Sequence, residues 1–164
     1  MFAHLNSIGL YGMDAFEVNV EADISNGLPG FDVVGLPDTA VKESRDRVRS
    51  ALKNCGFTFP MSRITVNLAP ADKRKEGPIY DLPILLAILT ASGQLSCDLS
   101  DCAMIGELSL SGEIHGIRGV LPMAIHAKEL GYHRLFVPAV NAAEGAVVEG
   151  LEVYPVTNVK QLID

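Results

Sequence analysis

The sequence predicts a single α/β domain, a mixed sheet carrying helices in two or three layers. Three observations predict it. Residues 15–24 alternate apolar and polar, residues 82–91 are apolar almost all round, and Gly and Pro recur regularly enough to keep the elements short. With 164 residues, 48% hydrophobic and 20% charged, the chain is read as one domain, 1–164, able to bury a core. No low-complexity tract or internal repeat interrupts it.

Residues 2–11 and 15–24 read as strands. In the second, Phe16, Val18, Val20 and Ala22 alternate with Glu17, Asn19, Glu21 and Asp23, so one face is buried and the other wet. GLPG at 27–30 is a turn, and Phe31 to Val34 is a third strand closed by Gly35-Leu36-Pro37. A helix follows, capped by Asp38 or Thr39. Val41, Val48, Leu52 and Cys55 share one face, and Gly56 stops it. Residues 63–68 (RITVNL) form a strand.

A polar loop, APADKRKEGP, leads to Asp81, which reads as an N-cap with Pro83 tolerated in the first turn. The helix from Leu82 to Ala91 is expected at the centre of the fold. After a loop at 93–101, AMIGELSLSG reads as a strand turning at Ser111-Gly112 into EIHGI, a hairpin. Val120 to Leu130 is a further helix ended by Gly131. Leu135–Pro138 and Val153–Val156 are short strands, and Val159–Ile163 begins a last helix.

Bulk properties narrow the function classes. The net charge is −7, so any nucleic-acid contact must come from a local basic patch. No apolar run reaches the roughly 18 residues of a membrane span, and the N-terminus lacks a signal-peptide pattern. Three cysteines, Cys55, Cys97 and Cys102, read as reduced thiols, and a cytoplasmic protein without membrane contact is expected. Neither cysteine spacing nor any carboxylate cluster suggests a metal cage.

Three segments carry a resemblance: GLPGFDVVGLPDTAVKESRDRVRSALKNCG, ITVNLAPADKRKEGPIYDLPILLAIL and IGELSLSGEIHGIRGVLPMAI. Together they resemble the N-terminal domain of the ComM/YifB family of Mg-chelatase-like AAA+ ATPases, over nearly the whole chain. The resemblance implies a Lon-protease-like fold, shared with GHMP kinases. It also implies a following AAA+ motor, hexameric rings, and a helicase or branch-migration role on DNA in competence or recombination. No GxxxxGK[ST] occurs in these 164 residues, so ATP and magnesium are expected only in a motor domain absent from this chain. No cofactor or metal is expected within it, and it is read as a piece of such a protein.

A Lon-type peptidase needs a serine nucleophile and a lysine base. The matching stretch here is GPIYD, which puts Ile79 at the serine position. Aligning the Gly-rich hairpin on Gly106-Glu107-Leu108-Ser109-Leu110-Ser111-Gly112 puts Met123 at the lysine position. A hydrocarbon and a thioether supply neither role, so no catalytic residue is assigned. Ser7, Ser44, Ser109 and Ser111, with His4, His115, His126 and His133, fall in no GxSxG or HExxH pattern. His115 and His126 read as surface or partly buried side chains. Asp72, Glu76 and Asp81 read as a solvated loop plus an N-cap.

Two basic groups remain. Lys42, Arg45, Arg49 and Lys53 form a stripe along the first helix, with Glu43 and Asp46 further round and Arg47 pointing elsewhere. Lys73-Arg74-Lys75 occupy the loop before Gly77, and no aromatic residues interleave with either group in the sequence. Both groups are candidates for DNA contact, or for contact with the motor domain and neighbouring protomers; a merely solvated face explains them too. The leading expectation is therefore a non-catalytic module of a DNA-processing ring ATPase. The alternative is a degenerate peptidase cleft that docks a peptide by strand addition beside Ile79 and Met123.

Overall fold

The computed structural model describes residues 1–163. Its main element is a seven-stranded mixed sheet. The first two strands, β1 (Phe2–Tyr11) and β2 (Asp14–Ser25), pair antiparallel along their whole length. They turn at Gly12-Met13, where Gly12 takes φ 62°, a conformation that costs glycine little. β4 (Arg63–Ala69) adds antiparallel to β2, and the edge strand β3 (Gly30–Val34) adds parallel to β4. On the other side of β1 lie β5 (Cys102–Met104), β8 (Arg134–Pro138) and the second edge strand β9 (Glu152–Val156), all parallel.

The alternation expected of β2 is observed: Phe16, Val18, Val20, Ala22 and Ile24 are buried on one face. Helices cover both faces of the sheet centre. On the Phe16 face lie α2 (Ser44–Asn54) and α3 (Asp81–Ala91), the latter with Leu82, Ile84, Leu85, Ile88 and Leu89 fully buried. Tyr80, just ahead of α3, reaches Gly9, whose Cβ, if present, would collide with the phenol oxygen and with Phe16 Cζ at 2.7 Å. On the opposite face lies α4 (Val120–Glu129): Leu10 packs beside Gly119, and Tyr132 donates to Glu17 at 2.8 Å. Three layers result, within the expected range.

Two expected elements are divided. The first helix splits into α1 (Thr39–Lys42) and α2, joined by a tight turn at Glu43. Asp38 caps α1, accepting from the Val41 N–H at 2.8 Å. Just past the joint, Ser44 and Arg47 of α2 both hydrogen-bond Asp81. The strand expected over 103–112 also breaks, at Ile105-Gly106. Its first half is β5 in the main sheet; its second is β6 (Glu107–Leu108), which pairs with β7 (Ile114–His115) in a separate hairpin. The Gly106 N–H and C=O bond Ile79 and Leu82 at 2.9 and 3.1 Å, which ties the break to the start of α3. Sequence periodicity did not reveal α5 (Ala142–Gly145), a single turn; α6 (Val159–Ile163) closes the chain as expected.

The buried polar side chains of β1 are partnered across the sheet. Asn6 and Ser7 of β1 donate to the Cys102 and Met104 carbonyls at 3.2 and 2.7 Å, fastening the parallel strand β5. The three cysteines are free thiols, with Cys55 and Cys102 buried and Cys97 exposed. Among the described residues no helix is long and apolar enough to cross a membrane.

Candidate functional site

Ile79 sits in a single 3-10 turn, Pro78–Tyr80, entered through Gly77 at φ 82°. That turn forms one wall of an open cavity of about 560 Å³. The opposite walls come from Leu10 and Gly12 at the end of β1 and from Gly116, Ile117 and Arg118 after β7. Its ionisable groups are Asp38, Glu76, Glu107 and Arg118. None of its lining residues is a serine, threonine, cysteine, lysine or histidine.

Ile79 lies at the wall with 9% exposure, while Met123 is fully buried and lines no part of this cavity. Its side-chain end lies behind Gly119, packed with Leu10. The cavity therefore has no hydroxyl or thiol to attack and no amine or imidazole to deprotonate it. Two of its three carboxylates are engaged, and the third, Glu107, lines it from the strand after Gly106. Asp38 accepts from the Val41 and Gly77 N–H groups at 2.8 and 3.1 Å, and Glu76 lies 3.5 Å from Arg74. The main-sheet edge strands β3 and β9 contribute no lining residue; the strand beside Ile79 is β6 of the separate hairpin, whose Glu107 lines the cavity.

Asp81 corrects the expectation of a solvated N-cap. It is fully buried and is the first residue of α3, whose N-cap is Tyr80. Its carboxylate accepts from the Ser44 hydroxyl, from Arg47 Nε at 2.6 Å and from the Leu108 N–H at 3.1 Å. Burial pushes the Asp81 carboxyl up from its ordinary value, against the pull of Arg47 and the other donors. The Arg47 guanidinium is itself held above its ordinary value beside Asp81, although burial acts the other way. Ser44 hydrogen-bonds a carboxylate inside the core, so this cluster joins α2, α3 and β6 rather than activating a nucleophile. Asp72 and Glu76 are exposed, as expected of a solvated loop.

The basic groups divide. Lys42, Arg45, Arg49 and Lys53 are all exposed, and Arg49 lies over the Phe59 ring at 5.2 Å. Lys73 and Arg74 are exposed too, with Lys73 5.0 Å over Phe16 beside a cavity of about 380 Å³. Lys75 does not belong with them. It is fully buried, and its ammonium donates to the Gly35 carbonyl at 2.8 Å and to that of Pro70. Its backbone bonds Leu36 and Asp38, both at 2.9 Å. Burial lowers its pKa, and it serves to hold two loops together. The structure also adds residues that the sequence did not single out: Arg63 on β4, and the rings of Phe16 and Phe59, brought to the cations from distant segments. For Arg63 the signal was available, since it lies out of phase with Ile64, Val66 and Leu68 in an alternating strand.

His126 lies 3.4 Å from Glu129 within α4, and His115 is exposed on β7. Among the described residues, no three His, Cys, Asp or Glu side chains converge as metal ligands would.

With this geometry in view, the comparisons with known proteins are specific. Residues 20–141 match the family described as subunit ChlI of Mg-chelatase. An uncharacterised protein YifB of Salmonella typhimurium is 49% identical over 84% of this chain and 27% of its own length. Competence protein ComM of Haemophilus influenzae is 47% identical over 87% of this chain and 28% of its own length. More distantly, a Lon protease of Mycolicibacterium smegmatis is 26% identical over 95% of this chain and 21% of its own length. The chain thus spans less than a third of each of these relatives.

Proposed function

This chain belongs to the family of ChlI, the Mg-chelatase subunit, and from that premise we propose that it works by contact rather than by chemistry, as a non-catalytic module of a DNA-processing AAA+ ATPase. The observation that carries this reading is the lining of the Ile79 cavity. In a chain similar to a Lon protease, that cavity offers no serine, threonine or cysteine to attack and no lysine or histidine to deprotonate it. The competence name of one relative supports a role near DNA. The exposed cations on α1, α2 and the 69–78 loop supply contact surfaces, with Lys73 and Arg74 the candidates for phosphate. In a ring assembly, the neighbouring protomers and the motor domain would be further partners.

The cavity's carboxylates do not fit a magnesium centre: among the described residues no three His, Cys, Asp or Glu side chains group as ligands, and Asp38 is engaged by two backbone N–H groups and Glu76 by Arg74. On this reading ATP and magnesium belong to the motor.

Two measurements test the proposal. Peptide hydrolysis by this chain should stay at background. Fluorescence anisotropy with branched and single-stranded DNA, at low and moderate salt, should show weak salt-dependent binding. Peptide turnover would overturn the non-catalytic part. The DNA part would fall if this chain failed to bind and the full-length protein kept its DNA affinity after deletion of the domain.

A further inference from the structure

β3 ends the sheet, and among the described residues nothing pairs with its outer side. The Gly30 N–H points inward, to the Ser62 carbonyl at 3.3 Å. Backbone groups alternate along a strand, so Phe31 and Val33 present theirs outward. The Phe31 carbonyl is met by one guanidinium nitrogen of Arg45, at a long 3.5 Å.

A cavity of about 420 Å³ wraps this edge. Its walls include Asp32 and Val34 from one face of the strand and Val33 from the other, together with Lys42, Arg45 and Arg63. Three cations thus face one carboxylate, and that carboxylate is already paired with Arg63 at 2.9 Å. At the Gly30 end a second hollow, of about 280 Å³, is bounded by Arg49, Lys53 and the apolar side chains of Phe59 and Met61. In a protein of net charge −7, this is a local positive strip beside an open strand edge.

Spacing decides what fits. Arg45, Arg49 and Lys53 recur every four residues, about 6 Å apart along a helix axis. An extended peptide repeats its same-face side chains about every 6.6 Å. Nucleic acid could use the cations but not the outward N–H and C=O groups of Phe31 and Val33. We propose that the β3 edge captures an extended acidic segment of a partner protein as an added strand, its carboxylates against Lys42, Arg45 and Arg49 and an apolar side chain near Met61. This rests on the reading of the domain as a contact module and names the partner of its α1–α2 face.

The test uses this chain and a labelled peptide alternating Glu and Val, ending in Leu. A second peptide of the same sequence is N-methylated on alternate amides, and a single-stranded oligonucleotide is the competitor. The plain peptide should bind at low salt and protect the Val33 amide from hydrogen exchange. N-methylation should weaken it about tenfold, because charge is kept while ladder bonds are removed. Arg45→Glu with Arg49→Glu should also weaken it about tenfold, with an unchanged circular dichroism spectrum. The proposal is overturned if the plain peptide does not bind, if the N-methylated peptide binds equally, or if the oligonucleotide displaces the peptide. None of these outcomes touches the contact reading itself, which the peptidase and DNA measurements decide separately.

Discussion

Arg47 and Asp81 are joined by a two-pronged ion pair across the α2–α3 interface, Nε to Oδ2 at 2.6 Å and a terminal nitrogen to Oδ1 at 3.1 Å. Asp81 is fully buried and the Arg47 side chain is 18% exposed. The same carboxylate holds the Leu108 N–H, so the pair also fixes the hairpin that flanks the Ile79 cavity. Breaking such a pair from one side leaves an uncompensated buried charge, which costs about 3–5 kcal/mol.

Arg47→Met is therefore expected to lower stability by an amount of that order, read as a shifted urea midpoint. The loss should depend on pH with a definite sign. Burial already pushes the Asp81 carboxyl up, and removing Arg47 removes the main opposing pull. The folded variant then holds a proton that the unfolded chain releases near pH ~4. Stability falls as pH rises between the unfolded and folded pKa values. The variant should therefore be closest to the parent in mild acid and weakest at neutral pH. A destabilisation that is flat across this window would show that Asp81 is not the group left exposed to the change.

Thiol reactivity should separate the three cysteines. Burial and Asp101 push the Cys102 thiol up to about 11, and burial raises that of Cys55. Cys97 is exposed. At pH ~8 a disulfide reagent should label one thiol quickly in the native protein and the other two only on unfolding. Cys97→Ser should abolish the fast phase. Fast labelling of two thiols would contradict the packing around Cys102.

The Tyr80 phenol oxygen is buried without a hydrogen-bond partner, against the space that Gly9 leaves. An unpartnered buried hydroxyl is destabilising by about 1–3 kcal/mol. Tyr80→Phe should thus hold or raise the melting temperature. Gly9→Ala alone should cost about 1–3 kcal/mol through overpacking against that oxygen and Phe16. Combined with Tyr80→Phe it should cost less, since one of the two clashing groups is gone. Strict additivity in this cycle would argue that the two residues do not touch.

How far the sequence foretold the molecule depended on whether the signal was local. α3 was legible because a helix apolar all round has nowhere to go but the centre. The same holds for β2, whose period of two names its buried face. Ile79 was legible at the GPIYD loop, but Met123, expected as the other half of the site, proved sealed from the cavity. What was not legible were the polar residues that the fold turns inward. Asp81 stands where a helix begins and so reads in the sequence as its cap, while its partner Arg47 lies 34 residues away. The one hint was that Arg47 fell off the basic stripe. The break at Gly106 escaped notice because an extended run does not reveal where it changes sheets.

Lys75 illustrates the same point and supplies the sharpest separation between binding and folding. In the run Lys73-Arg74-Lys75 the three side chains are chemically alike, and only the structure places the third under the loop. Replacing Lys75 by Met keeps the volume but leaves the Gly35 and Pro70 carbonyls without their donor. This should cost about 1–3 kcal/mol in urea unfolding. Replacing Lys73 and Arg74 by Ala should leave stability within about 0.5 kcal/mol, since both are exposed. DNA affinity should respond in the reverse order. Each phosphate left without its cation lowers the slope of log affinity against log salt by about 0.9 on duplex DNA. The Lys73→Ala, Arg74→Ala pair should therefore flatten that slope, and Lys75→Met should leave it unchanged wherever the variant is folded. A flattened slope in folded Lys75→Met would mean that its ammonium reaches phosphate after all, and that the loop opens on binding.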